Sequence, residues 1–147
     1  MTNFDRTVAW LKAYNKQPSM ETFSLQAGCH IEEFIEFLES VEFKDDNFQQ
    51  ANMEIACGIL KEVGDKLKKH GALLNIKDRV ACLDALCDTD VTGNGVAYYA
   101  GFDKNAGDDA VMTSNESKFE DGKPVLLPGG KIGKSSSYVP PDLTKFV

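Results

Sequence analysis

Apolar positions recur at helical spacing through most of the first hundred residues. Phe4, Val8 and Leu11, with Trp10 nearby, predict a helix over residues 4–15 with Asn3 as N-cap, ended by Gln17-Pro18. Ser19 can cap a second helix running to about Phe43, with Phe34, Phe37, Leu38 and Val41 as its core-facing arc. Asp45 or Asp46 starts a third, which carries basic residues in its last turns and meets Gly71 as a stop. A fourth runs from about Lys77 to Ala100. From Asn105 onward Gly, Asp, Ser and Pro replace the helical pattern. There "KPVLL" and "KIGK" flank Pro128-Gly129-Gly130, a turn between two strands. The pattern predicts a single all-α domain over 1–147, a four-helix bundle with its helical core at about 1–104 and a tail at about 105–147 holding a small β-hairpin.

Composition narrows what such a bundle does. At 147 residues the chain is long enough to bury a core without disulfide or metal staples. Sixteen Lys and Arg against 23 Asp and Glu give a net charge of −7, which argues against nucleic-acid backbone binding. The start "MTNFDRTVAW" lacks a charged segment followed by an apolar run, and no stretch reaches the ~20 apolar residues of a membrane span. A cytoplasmic protein with no membrane partner is the expectation. Cys29, Cys57, Cys82 and Cys87 show no CxxC spacing, so they are expected as buried thiols in a reducing compartment rather than zinc ligands.

The stretch "CDTDVTGNGVAYY", Cys87 to Tyr99, admits two readings. As a calcium loop it places oxygen ligands at Asp88, Asp90 and Thr92, with Gly93 at the turn. The twelfth position, which needs a bidentate Glu, is Tyr99, and the loop fails there. As a helix it places Asp84 and Asp88 one turn apart, in a sector shared with Val80, Val91 and Gly95. Acids among valines and small residues are expected to point into packing or a cavity, where burial is costly without a partner or a cation. The glycines of Gly93-Asn94-Gly95 cost a helix about 1 kcal/mol each, yet permit close approach of a neighbour.

A second acidic run lies in "CHIEEFIEFLESVEF". Glu32, Glu36 and Glu39 are expected opposite the core arc, with Glu33 at its edge and Glu42 beyond. No Lys or Arg lies between Lys16 and Lys44, so the usual i, i+4 compensation is missing. Acids on two helices facing one cavity would suit a hard cation with oxygen ligands.

These two stretches, "IEEFIEFLES" and "LDALCDTDVTGNGVAYYAGFD", resemble the all-α nucleoside triphosphate pyrophosphohydrolases, the group of MazG, phosphoribosyl-ATP pyrophosphohydrolases and dimeric dUTPases. The likeness is greatest to short MazG-like proteins of bacteriophages, whose C-terminal cadence is similar to "SNESKFEDGKPVLLPGGKIGKSSSYVPPDL". It spans residues 28–40 and 80–147. The resemblance implies a MazG-like bundle and a hydrolase that converts an NTP or dNTP to monophosphate and pyrophosphate with Mg2+, for which Mn2+ can substitute. It also implies a homodimer or homotetramer, in the host cytoplasm if phage-encoded. The family's ExxE motif maps onto Glu33 and Glu36. Its ExxD motif maps onto Asp88, with Asp84 in place of the residue three before it. The implied metal ligands are thus Glu33, Glu36, Asp84 and Asp88, with Glu32 as a spare base for the attacking water. Phosphate contacts are expected from the tail's basic stretch, Asn115, Lys118, Lys131 and Lys134, and base stacking from Tyr138. The competing reading is a non-catalytic calcium- or nucleotide-binding helical module.

Overall fold

The computed structural model describes residues 1–14, 17–127 and 132–147. Its described residues form five α-helices and one two-stranded antiparallel sheet, and they divide into two units. One unit is Gln17–Lys77; the other joins Met1–Lys16 to Asp78–Val147.

In the first unit, α2 (Met20–Glu39) starts at Ser19, whose hydroxyl accepts the Thr22 N–H while Thr22 returns a bond to the Ser19 backbone. Such reciprocal caps are worth about 1 kcal/mol. The helix stops at Glu39 rather than near Phe43: Ser40 donates its hydroxyl to the Phe37 carbonyl. Acids at 39 and 42 are also unfavourable at the negative end of the helix dipole. Asp46 caps α3 (Asn47–Lys69), whose last turn carries Lys66, Lys68 and Lys69, and Gly71 follows with a left-handed φ of 67°.

The two helices pack antiparallel along a seam of small residues. Ser24, Gly28 and Ile35 are the buried positions of α2, and Cys57, Gly64 and Leu67 those of α3. A Cβ on Gly28 would stand 3.0 Å from the Gly64 carbonyl oxygen and 3.0 Å from the Leu67 Cβ. Only glycine lets the backbones meet this closely. Ser24 accepts the Leu74 N–H at 2.9 Å, which ties the segment after α3 back to α2. The seam shifts the core arc from where the apolar pattern put it. Ile35 faces α3, whereas Phe34 and Phe37 are exposed, because the close glycine contact rather than the largest side chains sets the buried face.

In the second unit, α1 (Asn3–Ala13) is capped by Thr2, not Asn3, in a reciprocal box with Asp5. It lies against α5 (Lys104–Glu116), a helix where the sequence pattern predicted an irregular tail. Asp103 caps α5, Lys104 pairs with Asp108 at 2.7 Å, and the buried positions are Met112 and Ser114. A packed face built from one methionine and one serine leaves little apolar periodicity to see. Arg6 of α1 reaches Asp109 and Glu116, and Trp10 donates to the Asn115 carbonyl at 3.0 Å. Tyr14 is buried against Trp10 and Phe119. Ser114 donates to the Val139 carbonyl at 2.8 Å, so the C-terminal segment lies on α5.

Strands β1 (Phe119–Glu120) and β2 (Lys123–Pro124) pair across Asp121-Gly122. Both turn residues have positive φ, 49° and 73°, as a type I′ turn requires. The hairpin expected further on is present as a bridge between Leu126 and Ile132, with Gly133 N–H donating to the Val125 carbonyl at 2.8 Å. Its turn, Pro128-Gly129-Gly130, lies outside the described residues.

Helix α4 (Arg79–Ala100) is continuous through Gly93-Asn94-Gly95 and ends at Gly101, φ 82°. The Phe102 N–H closes that end on the Ala97 carbonyl at 3.0 Å, a Schellman-type stop. No helix is long and apolar enough to cross a membrane among the described residues.

Candidate functional site

The calcium-loop reading ends with α4. Asp88, Asp90 and Thr92 lie within a regular helix, each about 200° around its axis from the next, and Thr92 donates its hydroxyl to the Asp88 carbonyl at 2.9 Å. Asp84 and Asp88 are not directed into packing. Both are exposed, as are Val80 and Val91 of the same sector, so nothing in the chain as described desolvates these carboxylates. Cys87 on the same helix is exposed as well, unlike buried Cys57, and none of the four cysteines is in a disulfide.

The acids of α2 have a different setting. The seam turns Glu32, Glu36 and Glu39 to its flank rather than away from it, where they line a cavity of about 150 Å³ with Asp65 of α3. Glu33, mapped by the ExxE motif, does not line that cavity. Lys61, Lys68 and Lys69 complete the wall. One acid of α2, Glu32, is therefore compensated from α3. Lys68 binds Glu32 at 2.7 Å and approaches Asp65 at 3.9 Å, and Lys69 holds Asp65 at 3.0 Å. The Lys69 hydrogen bond holds the Asp65 carboxyl below its ordinary range. Burial pulls the Lys68 ammonium down, but the Glu32 hydrogen bond and the charges of Glu32 and Asp65 outweigh it, so the net shift is upward.

Asp65 is the residue that sequence reasoning missed, and the signal was present. Glu62-Val63-Gly64-Asp65 is an E-x-x-D stretch with Gly64 in the packed seam, and Glu62 pairs with Lys66 at 3.0 Å. The chain's other E-x-x-D, Glu42 to Asp45, sits in the exposed connector between α2 and α3. Glu33 and Glu36 belong to the unit Gln17–Lys77, whereas Asp84 and Asp88 belong to the other.

The oxygen donors of the cavity are carboxylates, the ligand type a hard divalent cation takes, and the Lys68 ammonium stands between two of them. As placed, no three His, Cys, Asp or Glu side chains among the described residues converge tightly enough to hold a metal.

A second groove of about 320 Å³ adjoins the charged cavity, sharing Glu39 and Lys61 with it. Leu38, Val41, Met53 and Cys57 give it an apolar lining.

The tail residues expected at phosphates are engaged locally. Lys118 donates to Asn115 Oδ1 at 2.7 Å and sits 5.7 Å from the Trp10 ring centre; Lys134 sits 4.5 Å from that of Tyr138. Lys131 lies outside the described residues. No protein-family model matches the chain, and neither a curated protein nor a solved structure does.

Proposed function

We propose that the protein is a magnesium-dependent nucleoside triphosphate pyrophosphohydrolase with its catalytic cavity on the α2–α3 pair, in a MazG-like helical bundle. The observation that carries the reading is the gathering of Glu32, Glu36, Glu39 and Asp65 with Lys61, Lys68 and Lys69 around one cavity, beside an apolar groove. The acids would hold the cation, with Asp65 taking the place given to Asp88 by the motif alone. Bound magnesium would supply neutralisation of the triphosphate and polarisation of the phosphorus under attack. A carboxylate left out of ligation, Glu39 for instance, can accept a proton from the attacking water. Lys61 and Lys69 offer charge to the phosphates that a chain at −7 otherwise lacks. Leu38, Val41 and Met53 offer a flat apolar wall for a base, next to the phosphates rather than on them.

Self-association belongs to the same reading. At 100° per residue the exposed apolar residues of α4 fall on several sides: Val80, Val91 and Tyr98 on one, Leu83 and Leu86 on another, Val96 on a third. Apolar side chains left exposed on several sides, interspersed with Asp84, Asp88 and Asp90, are surface that a partner can cover. A second copy presents the same surface and can cover it symmetrically.

The test is pyrophosphate release from a panel of canonical and modified nucleoside triphosphates, with Mg2+, with Mn2+ and with chelator. Metal-dependent release that Asp65→Asn and Glu36→Gln remove is the expected result. No release from any nucleotide with either metal would overturn the proposal.

A further inference from the structure

The α2–α3 pair has a second side. At about 100° per residue, Glu32, Glu36 and Glu39 of α2 lie to one side of the glycine seam. Lys61, Asp65 and Lys68 of α3 lie to the same side, where all six wall the charged cavity. The opposite side is apolar. Phe34 and Phe37 of α2 stand there beside Ile59 and Val63 of α3, with Phe48 and Ile55 further out on α3, and these six are between 40% and 73% exposed. The strip along the middle of this side carries no Asp, Glu, Lys or Arg. Charges return at its edges: Glu33 on α2, and on α3 Glu62 and Lys66, which pair at 3.0 Å.

We propose that this side is an interface with a second copy of the chain, whose own α2–α3 pair lies face to face on it and completes an antiparallel four-helix bundle. Two antiparallel helices joined by a short connector are half of such a bundle. The buried residues of the seam, Ser24, Gly28, Ile35, Cys57, Gly64 and Leu67, are mostly small, so the larger apolar side chains are left for another layer to bury. The exposed parts of the six apolar residues come to roughly 600 Å², and with the polar positions among them the side approaches the ~800 Å² per partner of a standard interface. Charge selects the occupant. Two chains at −7 repel, so they meet most readily where full charges are absent. A twofold mate that sets its α2 over α3 also brings the Glu33 edge of one copy to the Lys66 edge of the other. A lipid surface is the poorer match: faces that bind lipid are rimmed by Lys and Arg, whereas acids outnumber bases along these edges. The contact is separate from that of α4 and stands whether or not the cavity on the far side is catalytic.

Sedimentation equilibrium of the full chain tests it, with Phe34→Lys and Ile59→Lys each checked for fold by circular dichroism. Both are expected to weaken association about a hundredfold and to sediment as a smaller species at micromolar concentration, because each buries an unpaired charge in the contact. A second measurement adds no charge. Cys87 is exposed, so the background is Cys87→Ser. In it, Phe34→Cys and Ile59→Cys treated with a short bismaleimide should each give covalent dimers that the background alone does not. A monomeric wild type, or no added crosslinking from either cysteine variant, would overturn the proposal. So would lysine variants that keep the wild-type mass and lose thermal midpoint equally at every concentration, since the face would then be covered within one chain. Flotation of the wild type with phosphatidylcholine vesicles, lost in Phe34→Lys, would overturn it and assign the face to lipid. Loss of mass in Val91→Lys with none in Phe34→Lys or Ile59→Lys would remove this contact and leave that of α4 standing.

Discussion

The α2–α3 pair and helix α4 are built from the same materials and end in opposite situations. Each has glycines in mid-helix, acids one turn apart and apolar residues around them. In the pair, a Cβ on Gly28 would stand 3.0 Å from the Gly64 carbonyl oxygen, a contact that a side chain there would disturb. In α4, a Cβ on Gly93 or Gly95 would meet nothing within 4 Å. In the pair Glu32 is answered by Lys68 of the opposite helix and Asp65 by Lys69 of its own, whereas Asp84 and Asp88 stand exposed. A glycine or an acid takes on a role from the surface set against it. Spacing along one helix fixes which residues share a face but not whether that face is covered.

The largest expected effect discriminates the two regions directly. Asp65→Asn should lower metal-dependent pyrophosphate release by about 10²- to 10³-fold, the usual scale for losing one electrostatic contact to a transition state. Asp88→Asn should change it little. Glu36→Gln should follow Asp65→Asn, and Glu42→Gln, outside the cavity, should follow Asp88→Asn. Steady-state rates across these four variants suffice. Equal loss in Asp88→Asn and Asp65→Asn would move the second acidic pair back to α4.

Next in size is association through α4. Val91→Lys or Leu83→Lys places a charge on a surface that a second copy is to cover, and burying it unpaired costs several kcal/mol. Sedimentation of the wild type should show an oligomer, and of either variant a shift to monomer at micromolar concentration. A monomeric wild type at every concentration tested would remove the second copy.

Several helix ends were legible in the chain because they depend on local chemistry, though not the Thr2 cap of α1 or the stop of α2 at Glu39. Ser19, Asp46 and Gly71 act where their positions imply. The acidic run of α2 was legible too, though not its orientation. Aromatic content placed the core arc on Phe34 and Phe37, while the structure buries Ile35 and leaves both rings exposed. Packing at Gly28 decides that, and it needs the partner helix to be known. Asp65 was hidden by its own surroundings, since "KEVGDKLKK" reads as an ordinary basic helix end. Helix α5 was hidden because its packed side is polar or small, with Ser114 bonded to a carbonyl distant in sequence.

A smaller effect concerns the seam. Gly28→Ala sets a methyl group 2.8 Å from Lys68 Cγ and 3.0 Å from a backbone oxygen. The helices must separate or the lysine must move, at a cost of about 1–3 kcal/mol. Thermal or urea unfolding should show that loss. Unchanged stability would mean that the two helices do not approach as closely as their glycines allow.

The smallest effect is the same substitution in the other region, and its sign should reverse. Gly93 and Gly95 lie inside α4 with open space where a Cβ would stand. Alanine at either site removes the backbone-entropy cost of a helical glycine and should stabilise by about 1 kcal/mol in dilute protein. That gain belongs to the isolated chain. If a second copy packs against α4 at these glycines, each added methyl group enters the contact and weakens association as Gly28→Ala weakens the seam. Unfolding midpoints of Gly95→Ala should therefore exceed the wild type at low concentration and lose the advantage as concentration rises. A gain that persists undiminished at high concentration would place the partner on another side of α4, away from Gly95, and leave the apolar side chains alone to make the contact.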